Sequence, residues 1–176
     1  MVIAAVRESV GLCSQLPSFE YKKNSMGDAV ATASSESLSE LEAGLAAKHA
    51  LLLAKIENRL IMGLSDAISN FAKTPEDFLF CFMAPPKPGD SATHMHEVLL
   101  QAFCLEHDIY IIKVDSAEKL SRLLDSSTVQ SCALIQKTWS ADRQTEVLSK
   151  VEEKLVDYCE EHWEAPVKPI IKLPEK

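Results

Sequence analysis

The segment FLFCFMA, residues 78–84, carries the strongest structural signal in this chain. Every position in it is apolar, whereas a strand with one face in water alternates apolar and polar residues. The pattern therefore predicts a strand that is covered on both faces. The next six residues, PPKPGD (85–90), are turn formers and predict an exposed loop.

Helical and strand patterns alternate on both sides of this segment. Short apolar runs predict strands at LIMGL (60–64), IYIIKV (109–114) and SCALIQ (131–136), and helical periodicity predicts the segments between and after them. The predicted helices cover SDAISNFAK (65–73) and the ranges 91–106, 116–125 and 140–163. Strands that are apolar on both faces and alternate with helices predict an α/β sandwich.

The N-terminal part divides at about residue 36. Residues 1–36 have no sustained period, so we expect a mobile leader there and one folded domain over 37–176. Ser37 and Glu40 have the spacing of a capping box, while MGDAV (26–30) offers an earlier start for the same helix, and the sequence leaves both open. The residues predicted to face the core recur at helical spacing: Leu38, Leu41, Leu45, His49, Leu52, Ile56 and Leu60.

Composition limits the classes of function. The chain has 176 residues, of which 47% are hydrophobic, and this is enough for one core. A net charge of -8 argues against nucleic-acid binding, which depends on Lys and Arg, and favours a protein partner. The five cysteines are widely spaced, and no apolar run is long enough to cross a membrane, so we expect a soluble protein of a reducing, intracellular compartment.

Cys104, Glu106, His107 and Asp108 form a polar cluster between two apolar segments, with His94 and His96 upstream. On a helix over 91–106, His94 and His96 point about 160° apart, so they cannot bind one metal ion. Cys104 and His107 are neighbours, but a metal site needs more ligands and a nucleophile needs an oriented base. We interpret the cluster as a helix end and expect no metal, cofactor or catalytic site.

The helix over 91–106 has more apolar surface than a sheet-covering helix needs. Met95, Val98, Leu99, Ala102 and Phe103 form its predicted core face, and Leu100, Cys104 and His96 extend the apolar arc. The extra surface is covered either by another helix of the same domain or by a second subunit.

The predicted final helix is acidic. From Trp139 to Glu164 it holds eight acidic and three basic residues. This charge indicates either a solvated outer face or a site for a basic partner. The residues predicted for such a site are Glu152, Glu153, Glu160 and Glu161.

HMHEVLLQAFCLEHDIYIIKV (94–114), followed by KLSRLL, SCALI, Trp163 and IIKLPEK, resembles the growth arrest and DNA-damage-inducible (Gadd) family of stress proteins. The similarity covers roughly Ala46 to Lys176. The residues that agree best with the family pattern are Gln101, Ala102, Phe103, Cys104, Glu106, Asp108 and Ile109.

The resemblance implies a three-layer α/β/α sandwich with a mixed sheet, of the kind found in ribosomal kink-turn-binding proteins, and no catalytic activity. It further implies an adaptor of the nucleus and cytoplasm that activates a MAP kinase kinase kinase and contacts a cyclin-dependent kinase with its cyclin and proliferating cell nuclear antigen. Self-association to a homodimer is implied through the helices over 65–73 and 91–106. The predicted interface residues are Ser65, Ile68, Ser69, Ala72, His96, Leu99, Leu100, Phe103 and Cys104.

Two positions of the family pattern differ here. Members carry an acidic loop after the second strand, but this chain has PPKPGD, in which Lys87 and Asp90 are the charged candidates for partner contact. RNA binding is the alternative function of the shared fold. The kink-turn motif Gly-x-Asn-Glu is replaced by Gly63, Leu64, Ser65 and Asp66, which argues against it.

Overall fold

The computed structural model describes residues 29–142, 145–165 and 167–175, and the side chains of its first helix from Glu40 onward. Residues 1–28, most of the predicted leader, lie outside this range. The helices are α1 (Ala29–Ile56), α2 (Leu64–Phe71), α3 (Ser91–Glu106), α4 (Ala117–Leu123) and α5 (Lys150–Glu161). The strands are β1 (Leu60–Met62), β2 (Phe78–Met83), β3 (Tyr110–Val114), β4 (Cys132–Gln136) and β5 (Ile170–Ile171), and a 3-10 turn (Pro75–Asp77) precedes β2.

The strands form one mixed sheet in the order β1-β4-β2-β3-β5. Strand β3 runs parallel to β2 and to β5, whereas β4 runs antiparallel to β1 and to β2. All six residues of β2 are buried, as predicted from FLFCFMA. The carboxyl ends of β2 and β3 therefore meet at the same edge of the sheet.

Two hydrophobic clusters lie on opposite faces of the sheet. Phe80 and Phe82 of β2 belong to the cluster under α1, α4 and α5, while Phe78 and Cys81 belong to the cluster under α2 and α3. From Phe80 to Met83 the faces alternate with the period of two along a strand, and a register shift between Phe78 and Phe80 puts Phe78 on the same face as Cys81. The three-layer α/β/α sandwich is thus confirmed.

Helix α1 presents the face opposite to the predicted one. Leu41, Leu45 and Ile56 are exposed, whereas the buried residues are mostly alanines, at 43, 46, 47, 50 and 54. Small side chains let the helix approach the sheet and the C-terminal segment closely. Gly44 is the extreme case, because a Cβ atom there would clash with the Lys172 carbonyl oxygen. Leu41, Leu45 and Ile56 of the predicted stripe are therefore surface residues, whereas Leu52 and Leu60 are half-buried.

The C-terminal tail supplies β5, a strand that the sequence pattern did not predict. The Leu173 amide donates to Asp115 Oδ1 at 3.0 Å, and Lys119 Nζ donates to Oδ2 at 2.7 Å. Burial alone would raise the pKa of Asp115, but these two hydrogen bonds outweigh it and lower the pKa. The carboxylate fixes the tail to the start of α4.

Helix α5 is shorter than predicted, since it begins at Lys150 and not near Ser140. Ser149 and Glu152 form a reciprocal capping box that fixes this start: Glu152 N donates to Ser149 Oγ at 3.3 Å, and Ser149 N donates to Glu152 Oε2 at 2.8 Å. Upstream, Trp139 pairs with Glu146 in an antiparallel bridge. Within the helix, Leu155 and Cys159 are buried.

A buried ion pair joins α5 to the end of α1. Glu152 is 2% exposed, and its Oε1 accepts from Arg59 Nη1 at 3.1 Å. Arg59 Nη1 also donates to the Gln136 carbonyl at 2.6 Å. The pair therefore connects α1, the end of β4 and the first turn of α5.

Gly44→Ala is expected to lower the free energy of unfolding by about 1 kcal/mol. The added methyl group must displace the backbone of the tail, an overpacking cost of about 1–3 kcal/mol that exceeds or offsets the roughly 1 kcal/mol that alanine gains in a helix. Urea denaturation followed by circular dichroism measures the change. His49→Ala, at an exposed site of the same helix, is the control and should change stability by less than about 0.5 kcal/mol. A stabilised Gly44→Ala protein would contradict the close packing of tail and helix.

Glu152→Ala is expected to cost roughly 3 kcal/mol, because it removes the buried partner of Arg59 and half of the capping box. The neighbouring Glu153 is exposed, so Glu153→Ala should change the free energy of unfolding by less than about 0.5 kcal/mol. The same denaturation experiment compares the two. Equal effects would show that the Arg59 pair does not stabilise the fold.

Candidate interaction surfaces

Helix α3 has the predicted bounds, but its two apolar faces are exchanged. The buried face consists of Glu97, Leu100 and Cys104. The residues predicted for the core, among them Met95, Val98 and Leu99, are exposed. Since a helix can bury only one face against a sheet, the extra apolar arc predicted from the sequence is real, but it lies on the other side.

This correction changes the predicted interface at two positions. Leu100 and Cys104 lie in the core cluster beneath α2 and α3, so neither is available to a second subunit. Phe103 is half-buried, and the centroid of its ring lies 5.4 Å from that of the Phe71 ring and 4.4 Å from that of the His107 ring. The remaining predicted residues are all exposed: Ser65, Ile68, Ser69, Ala72, His96 and Leu99.

The exposed apolar residues of α3 form a continuous stripe that we call the α3 stripe: Met95, Val98, Leu99, Ala102 and Leu105. Positions 95, 98, 102 and 105 are separated by three, four and three residues, the spacing of a helix that packs lengthwise against another helix. Leu99 is 59% exposed and Met95 is 67% exposed. The small side chains Ser65, Ser69 and Ala72 of α2 lie on the same side of the sheet.

The predicted partner residues do not form one surface. Lys87 and Asp90 lie in the loop at the carboxyl end of β2, whereas Glu160 and Glu161 are at the end of α5, near the beginning of β3. Glu152 is buried with Arg59 and cannot contact a partner, so that prediction is wrong.

Asp90 has a local role in the fold as the N-cap of α3. Its carboxylate accepts from Thr93 Oγ1 at 2.6 Å and from the Thr93 amide at 3.0 Å. These two hydrogen bonds lower the pKa of Asp90. Lys87, in the same loop, is exposed.

An open cleft of about 440 Å³ lies between the start of β3 and the end of α5. We call it the acidic-aromatic cleft; it is lined by Asp108, Tyr110, Glu160, Trp163 and Glu164. The Tyr110 and Trp163 rings meet edge to face, with centroids 5.9 Å apart at 81°. The Tyr110 hydroxyl donates to Glu160 at 3.0 Å, and burial together with this bond raises the pKa of Tyr110 to about 12. Sequence reasoning identified Glu160 but not the two rings.

The ammonium group of Lys168 lies against the Trp163 ring of this cleft. Lys168 Nζ is 5.0 Å from the centre of the Trp163 ring and donates to the Trp163 carbonyl at 2.6 Å. An ammonium group over an indole face is attracted by the electrons of the ring. The cleft thus has carboxylates and aromatic faces, the two kinds of group that bind cationic side chains.

The polar cluster at Cys104 is a helix end, as predicted. His107 is the C-cap of α3, and the Ile109 amide donates to the Cys104 carbonyl at 2.8 Å. Hydrogen bonding to Cys104 and Cys132, followed by burial, raises the pKa of the Cys81 thiol well above its ordinary value. A buried thiol with a raised pKa is a poor nucleophile.

The described residues hold neither a cluster of metal ligands nor a membrane-spanning helix. Within residues 29–142, 145–165 and 167–175, no group of three or more His, Cys, Asp or Glu side chains is arranged to hold a metal ion. Among the helices of these ranges, none combines the length and apolar character needed to span a bilayer.

Residues 46–144 match the model of the ribosomal protein L7Ae/L30e/S12e/Gadd45 family. The growth arrest and DNA damage-inducible protein GADD45 beta of Bos taurus is 28% identical over 131 residues, which are 66% of this chain and 77% of that protein. GADD45 alpha of Cricetulus griseus is 27% identical over 150 residues, or 76% and 88% of the two chains. GADD45 gamma of Homo sapiens is 32% identical over 92 residues, or 51% and 58%.

Among solved structures, the 15.5kD RNA binding protein of Giardia lamblia aligns with a TM-score of 0.47 and 18% identity, over 71% of this chain and 88% of that one. The family match covers more than half of the 176 residues and includes α2, α3 and the first four strands. The three sequence relatives named above are GADD45 proteins, and the chain belongs to the ribosomal protein L7Ae/L30e/S12e/Gadd45 family.

Proposed function

We propose that this protein is a non-enzymatic adaptor of the stress response. In this proposal it binds and activates a MAP kinase kinase kinase. It also modulates cell-cycle and DNA-repair proteins, namely a cyclin-dependent kinase with its cyclin and proliferating cell nuclear antigen. It acts as a homodimer in the nucleus and the cytoplasm. Similarity to proteins named growth arrest and DNA damage-inducible supports the stress assignment. The main structural support for a protein-binding function is the exposed apolar α3 stripe.

Self-association through α3 follows from the cost of leaving this stripe in water. Met95, Val98, Leu99 and Leu105 are each at least half exposed, and contiguous apolar surface of this kind marks a binding site. A second copy fits the stripe because two helices with the same repeat pack along each other across a two-fold axis. The proposed interface comprises the α3 stripe with Ser65, Ile68, Ser69, Ala72, His96 and Phe103 at its border.

Kinase binding is proposed at the acidic-aromatic cleft. Glu160, Glu164 and Asp108 provide negative charge beside the Tyr110 and Trp163 rings, and Trp163 is 38% exposed. Aromatic residues surrounded by polar groups are typical centres of protein interfaces. A basic segment of the kinase therefore fits this cleft, and the exposed Glu153 and Glu161 contribute to its approach through their charge. Lys87 and Asp90 form a separate proposed contact at the other end of β3.

Leu99→Glu is expected to convert a dimer into a folded monomer, since it places a charge at the centre of the α3 stripe. Sedimentation velocity at tens of micromolar gives the mass, and circular dichroism shows that the fold is kept. Leu41→Glu is a matched control, because Leu41 is 58% exposed on α1, across the sheet, and Leu99 is 59% exposed. Leu100→Glu does not test the interface, because it would place a charge in the core.

Two results would contradict the proposed dimer. A wild-type monomer at tens of micromolar would exclude it at that concentration. A dimer that is lost on Leu41→Glu and kept on Leu99→Glu would move the interface to the leucine stripe of α1.

Reversing two charges in the cleft is expected to weaken kinase binding by about tenfold or more, because like charges then face a basic partner. The test is a pull-down of a purified, autoinhibited MAP kinase kinase kinase with the full chain carrying Glu160→Lys and Glu164→Lys. The control carries Glu76→Lys and Glu118→Lys, which change the net charge equally at exposed positions outside the cleft lining. Equal losses would assign the effect to net charge, and no enrichment of the wild type over an unrelated acidic domain would refute kinase binding.

A further inference from the structure

A second cavity lies at the carboxyl ends of β2 and β3. The acidic-aromatic cleft lies at the opposite end of β3, where that strand begins. The second cavity has a volume of about 200 Å³, and its polar lining consists of His94, Glu97, Gln101 and Lys113. In open α/β sheets, ligands bind in the crevice outside the carboxyl ends of the strands. This position and volume fit a small polar molecule and not a cofactor.

Glu97 is the unusual group in this cavity. It lies on the buried face of α3 together with Leu100 and Cys104, and it is 4% exposed. Its Oε1 is buried without a hydrogen-bond partner in the part of the chain that the structure describes. Burial of the carboxyl group raises the pKa of Glu97. A buried acceptor that accepts nothing is costly, so a donor from outside the chain would stabilise it.

Lys113 supplies the opposite charge from β3. It is half-buried and lines the cavity, and among residues 29–142, 145–165 and 167–175 it has no ion-pair or hydrogen-bond partner, Glu97 included. Gln101, one helical turn after Glu97, is likewise without a side-chain partner in these ranges. Lys113 and His94 both lie near enough to Glu97 for their charge to favour its ionised form, but neither forms a hydrogen bond or an ion pair with it in these ranges.

These charges restrict the ligand. A simple anion would face Glu97, a simple cation would face Lys113, and neither terminus of a peptide carries both charges on one carbon atom. An α-amino acid does, because its ammonium and carboxylate groups are attached to the same carbon. Met83, Pro86 and Val114 form apolar parts of the wall that suit an aliphatic or thioether side chain.

We propose that this cavity binds a free α-amino acid as its zwitterion, with the ammonium group on Glu97, the carboxylate on Lys113 and the side chain against the apolar wall. The proposal is independent of dimerisation and kinase binding, since none of the residues of the α3 stripe or the acidic-aromatic cleft lines the cavity.

Calorimetry and amide chemical shifts of the full chain titrated with L-leucine and L-methionine test the proposal. We expect saturable binding, with amide shift changes centred on residues 84, 97, 101 and 113. Two analogues of leucine separate the charges: 4-methylpentanoate has no ammonium group and isopentylamine has no carboxylate. Each should bind about tenfold more weakly or worse, because each loses a charge-assisted hydrogen bond.

Variants connect binding to the two side chains. Glu97→Gln and Lys113→Met should each weaken L-leucine binding at least about tenfold, since each removes one charged partner. Glu106→Gln, at an exposed position of the same helix, should leave it unchanged. If Glu97→Gln does not fold, Lys113→Met carries the test alone. No saturable binding, equal affinity for the analogues, or binding unaffected by both variants would overturn the proposal.

Discussion

The requirement to cover both faces of β2 organises the molecule. This strand is apolar at all six positions and lies between β4 and β3, so neither face can be left in water. Residues 80–83 alternate between the two faces, and each face needs its own layer of helices. The chain supplies α2 and α3 to one face and α1, α4 and α5 to the other. The positions of both proposed binding surfaces follow from this division.

Periodicity in the sequence predicted the elements better than it predicted their faces. The bounds of α3 and the buried character of β2 agree with the sequence patterns. In α1 and α3 the largest apolar residues were assigned to the core, but close packing on the sheet selected the alanine face of α1 and the Glu97 face of α3. A helix with two apolar faces does not indicate which one meets the sheet, because that depends on the distance to its neighbours.

Interactions between distant parts of the chain could not be predicted from the sequence for a different reason. Arg59 and Glu152 are 93 positions apart, and β5 has only two residues, so neither produces a local pattern. The Tyr110 and Trp163 rings become neighbours only when α5 crosses β3. The excess of acidic residues in α5 was visible in the sequence, but which carboxylates face solvent depends on the capping box at Ser149 and on Arg59.

The two proposed surfaces can operate at once because they lie on different layers. The α3 stripe belongs to the layer of α2 and α3, whereas Glu160 lies in the last turn of α5 and Glu164 just after it, in the layer across the sheet. Pairing through α3 would therefore leave the acidic-aromatic cleft of each subunit open. It would also keep the acidic α5 helices of the two subunits apart, and at a net charge of -8 per chain this separation lowers the repulsion that opposes association. A dimer built in this way presents two equivalent acidic clefts, so a partner with two basic segments would gain affinity from binding both.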